Sequence, residues 1–346
     1  MRGALLGVGH VALRAHLPGW QSRPETTLAA AADCRPGARG AFLAAFPGAR
    51  WYESADDLLV QESLDFVDVC TPPASHAPIV RAALEHSCHV LCEKPLALSR
   101  EDLLPIARLA GEKGLALVTA HNWNHAPALR KTVELLRQGS VGRIRRCRWE
   151  TLRKDPSVAV GEAGNWRLDP AQSGGGILVD HGWHAFYVLQ SFVGARPRAL
   201  DARLETRKHR AFRIEDTATI HLDYGDVRAE IFLTWAAAER SNRVSIEGTE
   251  GALLLDGGRL ELRSKSGKQA RGAWDFPSLA EGSHHPEWFA GVLEDFLAEI
   301  QNPSARGRNL AEASLCLELL CLAQESSRRG GRALPVEGTD APGRFR

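Results

Sequence analysis

The sequence predicts an α/β protein in two parts. A parallel sheet covered by helices comes first, followed by an α+β part built on a mixed or antiparallel sheet. Three observations carry this. Short apolar runs alternate with amphipathic stretches up to about His121. From about Arg198 to Leu262 the apolar residues instead recur with a period of two. The chain then closes with two helical stretches, about Pro286–Gln301 and Leu310–Arg329. A length of 346 residues suits two domains.

The elements follow in order. "GALLGVG" is an apolar run ending in glycines, and a helical stretch runs from it to about Trp20. "TTLAAAAD" is the second run, and Phe66 to Thr71 the third, stopped by Pro72 and Pro73. "SHAPIVRAALEHS" is a helix, "HVLCEKP" a strand, "REDLLPIARLAGEKG" a helix and "LALVTAH" a strand. Continuous apolar strands between helices mark a parallel sheet buried on both faces. "APALRKTVELLRQGSVG" is a helix ending at glycine, and a polar loop follows from about Pro156 to Ser173. The turn signals "YGD", "GTEG" and "DGG" punctuate the period-two region. The domain boundary is expected near 120–125, giving domains 1–122 and 123–346.

Composition excludes several partners. Lys plus Arg is 43 and Asp plus Glu is 42, a balance that offers nothing to nucleic acid or an anionic membrane. Hydrophobic residues at 44% and charged residues at 25% are ordinary for a globular protein. No run approaches the ~18 apolar residues of a membrane span. "MRGALLGVGH" carries no charged-then-apolar leader, so a cytoplasmic protein is expected. The seven cysteines are scattered. Cys88 and Cys92 lie four apart on one strand, roughly 13 Å, too far to share a metal ion. Free, mostly buried thiols are expected.

"GVGHVA" places Gly7, Gly9 and Ala12 directly after the first strand and at the start of a helix, with His10 and Val11 between. The first glycine permits a tight turn, the second lets a pyrophosphate approach the backbone, and the small third residue lets helix and strand pack closely. The helix N-terminus adds free N–H groups and a favourable dipole. Asp33 ends the second strand, 21 residues after Ala12, where a carboxylate accepts from the adenosine ribose and repels a 2′-phosphate. NAD is therefore expected, and Arg35, able to hold that phosphate, keeps NADP open. An ordinary α/β turn with a surface acid is the plainer alternative. Agreement of strand, glycines and acid argues against it.

"CTPPASHAPIVRAALEHSCHVLCEKPLAL" is where the chain strongly resembles the glucose–fructose oxidoreductase / inositol dehydrogenase (Gfo/Idh/MocA) family, and Glu93-Lys94-Pro95 is the most specific mark. The match continues through "NWRLDPAQSGGGILVDHGWH", "IEGTEGALLLD" and the closing helices. The resemblance implies a Rossmann domain, then an α+β domain with a large open mixed sheet. It also implies a pyridine nucleotide, a sugar, polyol or cyclitol substrate, and a homodimer or homotetramer joined through the open sheet. It places Gly7, Gly9, Val11 and Asp33 on the nucleotide. Thr71, Pro72 and His76 fall on its ribose and nicotinamide side, with Glu93 and Lys94 close by. Asn122 fits the family pattern after the last Rossmann strand, and Trp123 departs from it. Trp166 and Arg167 match a pair that in some members reaches the cofactor.

"GGGILVDHGWHAF" sets Asp180, His181 and His184 on an otherwise apolar stretch. On a helix, residues three and four apart share a face, so all three can point into one cleft. Oxidising a secondary alcohol needs a base for the hydroxyl proton, the reverse reaction needs an acid, and histidine serves both. Asp180 can set the tautomer of His184 or bind a substrate hydroxyl. Lys94 brings positive charge to the oxygen of the reacting group. The resemblance gives these roles to Lys94, Asp180 and His184, and leaves His181 as a pocket residue. Taken singly, Asp180 with His184 is equally a helix-surface pair and Lys94 a solvated lysine. The nucleotide motif shifts the balance.

Asp180, His181 and His184 also offer three zinc-type ligands. The family needs no metal and Lys94 supplies the charge, so none is expected. His284 and His285 simply precede the helix that Pro286 opens. Among nine tryptophans, Trp123, Trp166 and Trp183 can stack on a sugar face, and the rest are core or interface residues. The function expected is hydride transfer between a nicotinamide and a sugar, polyol or cyclitol. The alternatives are a tightly held cofactor used for hydrolysis, elimination or epimerisation, and a catalytically silent regulator.

Overall fold

In the computed structural model, residues 1–157, 165–267, 269–282 and 284–337 are described. The chain forms two compact units. Met1–Asn122 with His284–Leu317 makes the first, and Trp123–Ser283 with the described residues from Glu318 onward makes the second.

The first unit holds a sheet of β1 (Arg2–Leu6), β2 (Thr27–Ala32), β3 (Arg50–Tyr52), β4 (Phe66–Val69), β5 (His89–Cys92) and β6 (Leu117–Thr119). The order is β3-β2-β1-β4-β5-β6 and every pair is parallel. Chain direction across the sheet reverses between β1 and β4, which opens a crevice at the carboxyl ends of those strands. Ala4, Leu5, Leu6, Val67, Val69, Val90 and Leu91 are all buried, as continuous apolar strands require. The sequence pattern passes over β3, a three-residue edge strand too short to show a period.

The sequence pattern assigns everything after residue 122 to the second domain. The structure corrects this for His284–Leu317. Helix Pro286–Gln301 sets Phe289, Val292, Leu293 and Phe296 into the core that also contains Leu5, Val8, Trp20 and Phe66. A Cβ at Gly19 would stand 2.6 Å from Phe289 Cδ1, which shows how closely the helix approaches. The physical reason is apolar area: Trp20 and Phe66 are covered by Phe296 in edge contacts at 6.4 and 5.9 Å.

The second unit is built on nine strands. These are β7 (Ile144–Leu152), β8 (Ala199–Glu205), β9 (Thr217–Asp223), β10 (Arg228–Thr234), β11 (Ser241–Gly248), β12 (Gly251–Asp256), β13 (Arg259–Ser264), β14 (Ala270–Asp275) and β15 (Leu334–Pro335). The order is β14-β13-β12-β11-β7-β10-β9-β8-β15. β7 and β10 pair in parallel and the other neighbours are antiparallel, so the sheet is mixed. Cys147, Trp149, Ile231, Leu233, Val244 and Ile246 make its buried face, and the alternating positions Arg146, Arg148, Glu150 and Glu230 face outward. Helix Trp183–Val193 packs on β7 and on helix Pro127–Arg137. The polar loop expected from about Pro156 to Ser173 lies partly outside the described residues, which omit 158–164. Among the described residues, no helix is long and apolar enough to cross a membrane.

Candidate active site

The glycine loop follows β1 into a helix that starts at His10. Gly7 has φ +88°, and a Cβ there would stand 2.8 Å from the Cys70 carbonyl and from Thr71 Cγ2. Only glycine fits. Gly9 is different: a Cβ would meet only Arg35 Nη2, at 3.5 Å. The space above Gly9 is therefore not filled by the fold, which is what a phosphate needs of that position. Val11 is half-buried in the first helical turn. His10 is exposed, its ring 4.4 Å from that of His284.

Asp33 is nearly buried at the end of β2. Its Oδ2 accepts the Val8 N–H at 2.7 Å, and Arg35 donates to both oxygens, from Nε at 3.1 Å and Nη2 at 3.0 Å. Burial pushes its carboxyl up, but the Arg35 side chain and the backbone N–H groups of Arg35 and Val8 outweigh burial and lower it. Asp33 thus stands as a carboxylate tied to the glycine loop, with Arg35 folded onto it. Thr71 Oγ1 is buried without a hydrogen-bond partner. A bare Gly9, an ionised acid and an orphaned hydroxyl fit a dinucleotide, which Gly7, Val8, Gly9, Asp33, Arg35 and Thr71 would hold.

Pro72 is extended and its carbonyl accepts from Ser75, opening the helix that carries His76. His76 is buried between two carbonyls, Nδ1 2.7 Å from Pro95 O and Nε2 2.7 Å from Thr71 O. Burial pushes its imidazole down, against the pull of those acceptors. His76 therefore clamps the end of β4 to the Glu93-Lys94-Pro95 turn, in which the Lys94–Pro95 peptide is cis. Glu93 Oε2 accepts the Lys94 backbone N–H at 3.0 Å, while Oε1 faces His16 Nε2 at 3.1 Å. Burial pushes Glu93 up, and the His16 hydrogen bond and charge bring it down. His16 is absent from the sequence expectations. The available signal was a lone acid, Asp68, inside the apolar strand "FVDV", which needs a buried partner.

In the second unit the run Gly174–Gly176 leads into the acid–histidine segment. A Cβ at Gly176 would lie 1.8 Å from Glu215 O. The Glu215 carboxylate accepts the N–H groups of Gly176 at 2.8 Å and Leu178 at 3.0 Å, and its carbonyl accepts from Ile177 at 3.1 Å. Burial holds the Glu215 carboxyl above its ordinary value, and the backbone donors oppose it. Glu215 therefore anchors the segment, and the sequence pattern does not reveal it.

Leu178–Gly182 is a π-helical turn, with α-helix only from Trp183. The α-helical stacking expected of Asp180 and His184 is corrected by this wider turn, whose bonds run i→i+5. His181 Nε2 lies 3.6 Å from Asp180 Oδ2, and both side chains are largely covered. The His181 and His184 rings are 6.3 Å apart. His184 Nδ1 is 2.7 Å from Tyr187 Oη, and its ring stacks on Trp123 at 4.9 Å and 18°. Tyr187 also accepts the Trp123 N–H at 3.1 Å. Trp123, expected on the substrate, instead backs the His184 ring. Trp183, expected likewise, is 0% exposed and belongs to the core, because its helix turns that position inward. Asp180 acts on two further residues missed from sequence, Arg153 and Arg240. Burial and mutual repulsion push Arg153 down to about 9, and the Asp180 charge opposes this in both arginines.

Asn122 opens a short 3₁₀ turn, Asn122–His125, and is half-buried. Arg167 lies over the Trp166 ring at 4.3 Å, and the turn is capped by Asn165. Among the described residues, the one trio of metal-type ligand atoms within 4.8 Å of one another is His16, Asp68 and Cys70. Asp180, His181 and His184 do not form one.

A glycine loop at the crevice of a parallel sheet, joined in one chain to a mixed sheet bearing an acid–histidine turn, has the make-up of a nucleotide-dependent oxidoreductase. A profile described as "Oxidoreductase family, NAD-binding Rossmann fold" matches residues 1–121, and one described as "GFO/IDH/MocA C-terminal domain" matches 129–254. The chain is 30% identical over 256 residues, 74% of itself and 75% of the relative, to dTDP-3,4-didehydro-2,6-dideoxy-alpha-D-glucose 3-reductase of Streptomyces antibioticus. D-apiose dehydrogenase of Paraburkholderia graminis is 26% identical, covering 98% of this chain and 91% of its own. The solved structure of levoglucosan dehydrogenase in complex with NADH superposes with a TM-score of 0.82 at 21% identity, covering 98% of this chain and 100% of that one. The chain belongs to the Gfo/Idh/MocA oxidoreductase family, with an NAD-binding Rossmann domain.

Proposed function

We propose that the protein is an NAD-dependent dehydrogenase or reductase that moves a hydride between the nicotinamide and a secondary alcohol or ketone carbon of a sugar, polyol or cyclitol. The observation that carries this is His184, a buried imidazole locked through Nδ1 by Tyr187 and backed by Trp123. Such a ring is held for proton transfer. In oxidation the hydroxyl proton goes to His184 as the carbon loses hydride. In reduction the same ring returns the proton. Asp180 orients the substrate hydroxyls, and Lys94 stabilises negative charge on the reacting oxygen. Bound NAD supplies the hydride acceptor. Gly7, Gly9, Asp33 and Thr71 hold it, together with His10, Val11, Pro72, Asn122, Trp166 and Arg167, while His76, with both ring nitrogens on backbone carbonyls, and Glu93, held by His16 and the Lys94 N–H, brace the turn beside it. His181 lines the substrate side. The sugar-type substrates of the named relatives support this class.

The test is nicotinamide absorbance with NAD and NADP against inositols, aldoses, amino sugars and sugar acids. Turnover is expected with one class and NAD, and His184→Ala should lower kcat by about 10²–10⁴-fold, the range for removing a general acid–base. Undiminished turnover in His184→Ala would remove the role given to that ring. Turnover of a sugar without net NADH would replace dehydrogenation by a held-cofactor reaction.

A further inference from the structure

A closed charged network lies at the carboxyl end of the first sheet. His16 sits at the end of the π-helical turn Ala12–His16 and is fully buried. Its Nδ1 is 2.8 Å from Asp68 Oδ2 and its Nε2 is 3.1 Å from Glu93 Oε1. An ionised carboxylate only accepts hydrogen bonds, so a ring that donates to both carboxylates carries a proton on each nitrogen, as an imidazolium. Trp20 Nε1 gives Asp68 Oδ2 a second donor at 2.6 Å, and the Phe289 ring covers the imidazole at 3.9 Å. The titratable groups facing His16 are Asp68 and Cys70 from β4 and its end, and Glu93 beyond β5. Trp20 and Phe289 are neutral. Burial pushes the His16 ring down, but Asp68, and after it Glu93, push it up further, to about 9.

We propose that His16 is a positioning residue for the reaction. Braced by Asp68, its imidazolium fixes one oxygen of Glu93, so that the other is held on the backbone N–H of Lys94. The peptide carrying the catalytic lysine is thereby set by a residue wholly inside the fold. The inference rests on the oxidoreductase reading for the role of Lys94. His16, Asp68 and Cys70 also have the spacing of a metal trio. Two features favour protons instead: the Trp20 N–H is aimed at the Asp68 oxygen, and burial holds the Cys70 thiol well up, away from the thiolate a metal requires.

Two measurements on the full chain test this. The first is the ¹⁵N signature of the His16 ring at neutral pH, assigned by its disappearance in His16→Gln. Two protonated nitrogens are expected, and a neutral ring would overturn the proposal. The second is kinetics of His16→Gln and Asp68→Asn. kcat should fall about ten- to a hundredfold, the worth of one charge-assisted hydrogen bond, while NAD affinity stays within about threefold. A lowered melting temperature with kcat unchanged in the folded protein would mark His16 as structural only and overturn it. The ¹⁵N arm needs no substrate. A doubly protonated ring in a chain that turns over no sugar would defeat the reaction reading alone. A neutral ring in an active enzyme would defeat this proposal alone.

Discussion

Two π-helical turns, Ala12–His16 and Leu178–Gly182, follow the two glycine-rich runs of the chain. Both use the same backbone device, a turn that takes in one extra residue and so re-aims the side chains after it. Their surroundings differ. The first drives His16 inward to 0% exposure between two carboxylates. The second leaves Asp180 and His181 at 18% and 14% side-chain exposure. The turn itself decides only where a side chain is sent. What packs around it decides whether that side chain is closed off between buried partners or left partly exposed.

The glycines ahead of these turns differ in the same way, and two alanine substitutions separate them. Gly176→Ala brings a methyl against Glu215 O, where a Cβ would lie 1.8 Å away, and should cost about 3 kcal/mol of stability by overpacking. Gly9→Ala meets only Arg35 Nη2 at 3.5 Å, so its melting temperature should stay at the wild-type value while NAD affinity drops. Thermal melts and NAD titration of both proteins check this. Equal loss of stability in the two would erase the distinction.

A smaller effect is expected at Asp33. Asp33→Ser removes the acid and releases the Arg35 hydrogen bonds that end on it. The ratio of kcat/KM for NADP over NAD should rise by about ten- to a hundredfold, one charged contact exchanged for another. An unchanged ratio would show that Asp33 serves only to tie Arg35 and Val8.

A further contrast is a pH dependence. The His16 ring is raised from 6.5 to about 9 in the folded chain, so the native state holds this proton more tightly than the unfolded one. Its stabilising contribution is complete below pH 6.5 and fades as pH rises through about 9. Over that window the wild-type melting temperature should fall relative to that of His16→Gln. Parallel curves would mean the ring is not charged in the fold.

Much of this was legible in sequence, unevenly. Gly7 and Asp33 announced themselves because a phosphate loop and its acid lie at a fixed spacing within one βαβ unit. The strands of the first sheet were legible because burial on both faces leaves them uniformly apolar. β7 escaped because its apolar positions alternate with arginines in "IRRCRWETL". His16 and Glu93 meet across 77 residues, and no local period links them. Asp180 and His184 stood out as polar residues on an apolar stretch, but a 3.6-residue period cannot foresee a π turn, so their relation was drawn too simply. Tyr187 and Glu215, which hold His184 and its segment, carry no motif and emerge only from packing.

The return of helix Pro286–Gln301 to the first unit has a consequence for anyone cutting or recombining the gene. The nucleotide-binding part is not a contiguous cassette. A fragment stopped after Asn122 would leave Trp20 and Phe66 without Phe289, Val292, Leu293 and Phe296 against them. A chimera that exchanges the whole second unit must therefore splice at three points, after Asn122, before His284 and after Leu317, because the chain returns to the second unit at Glu318.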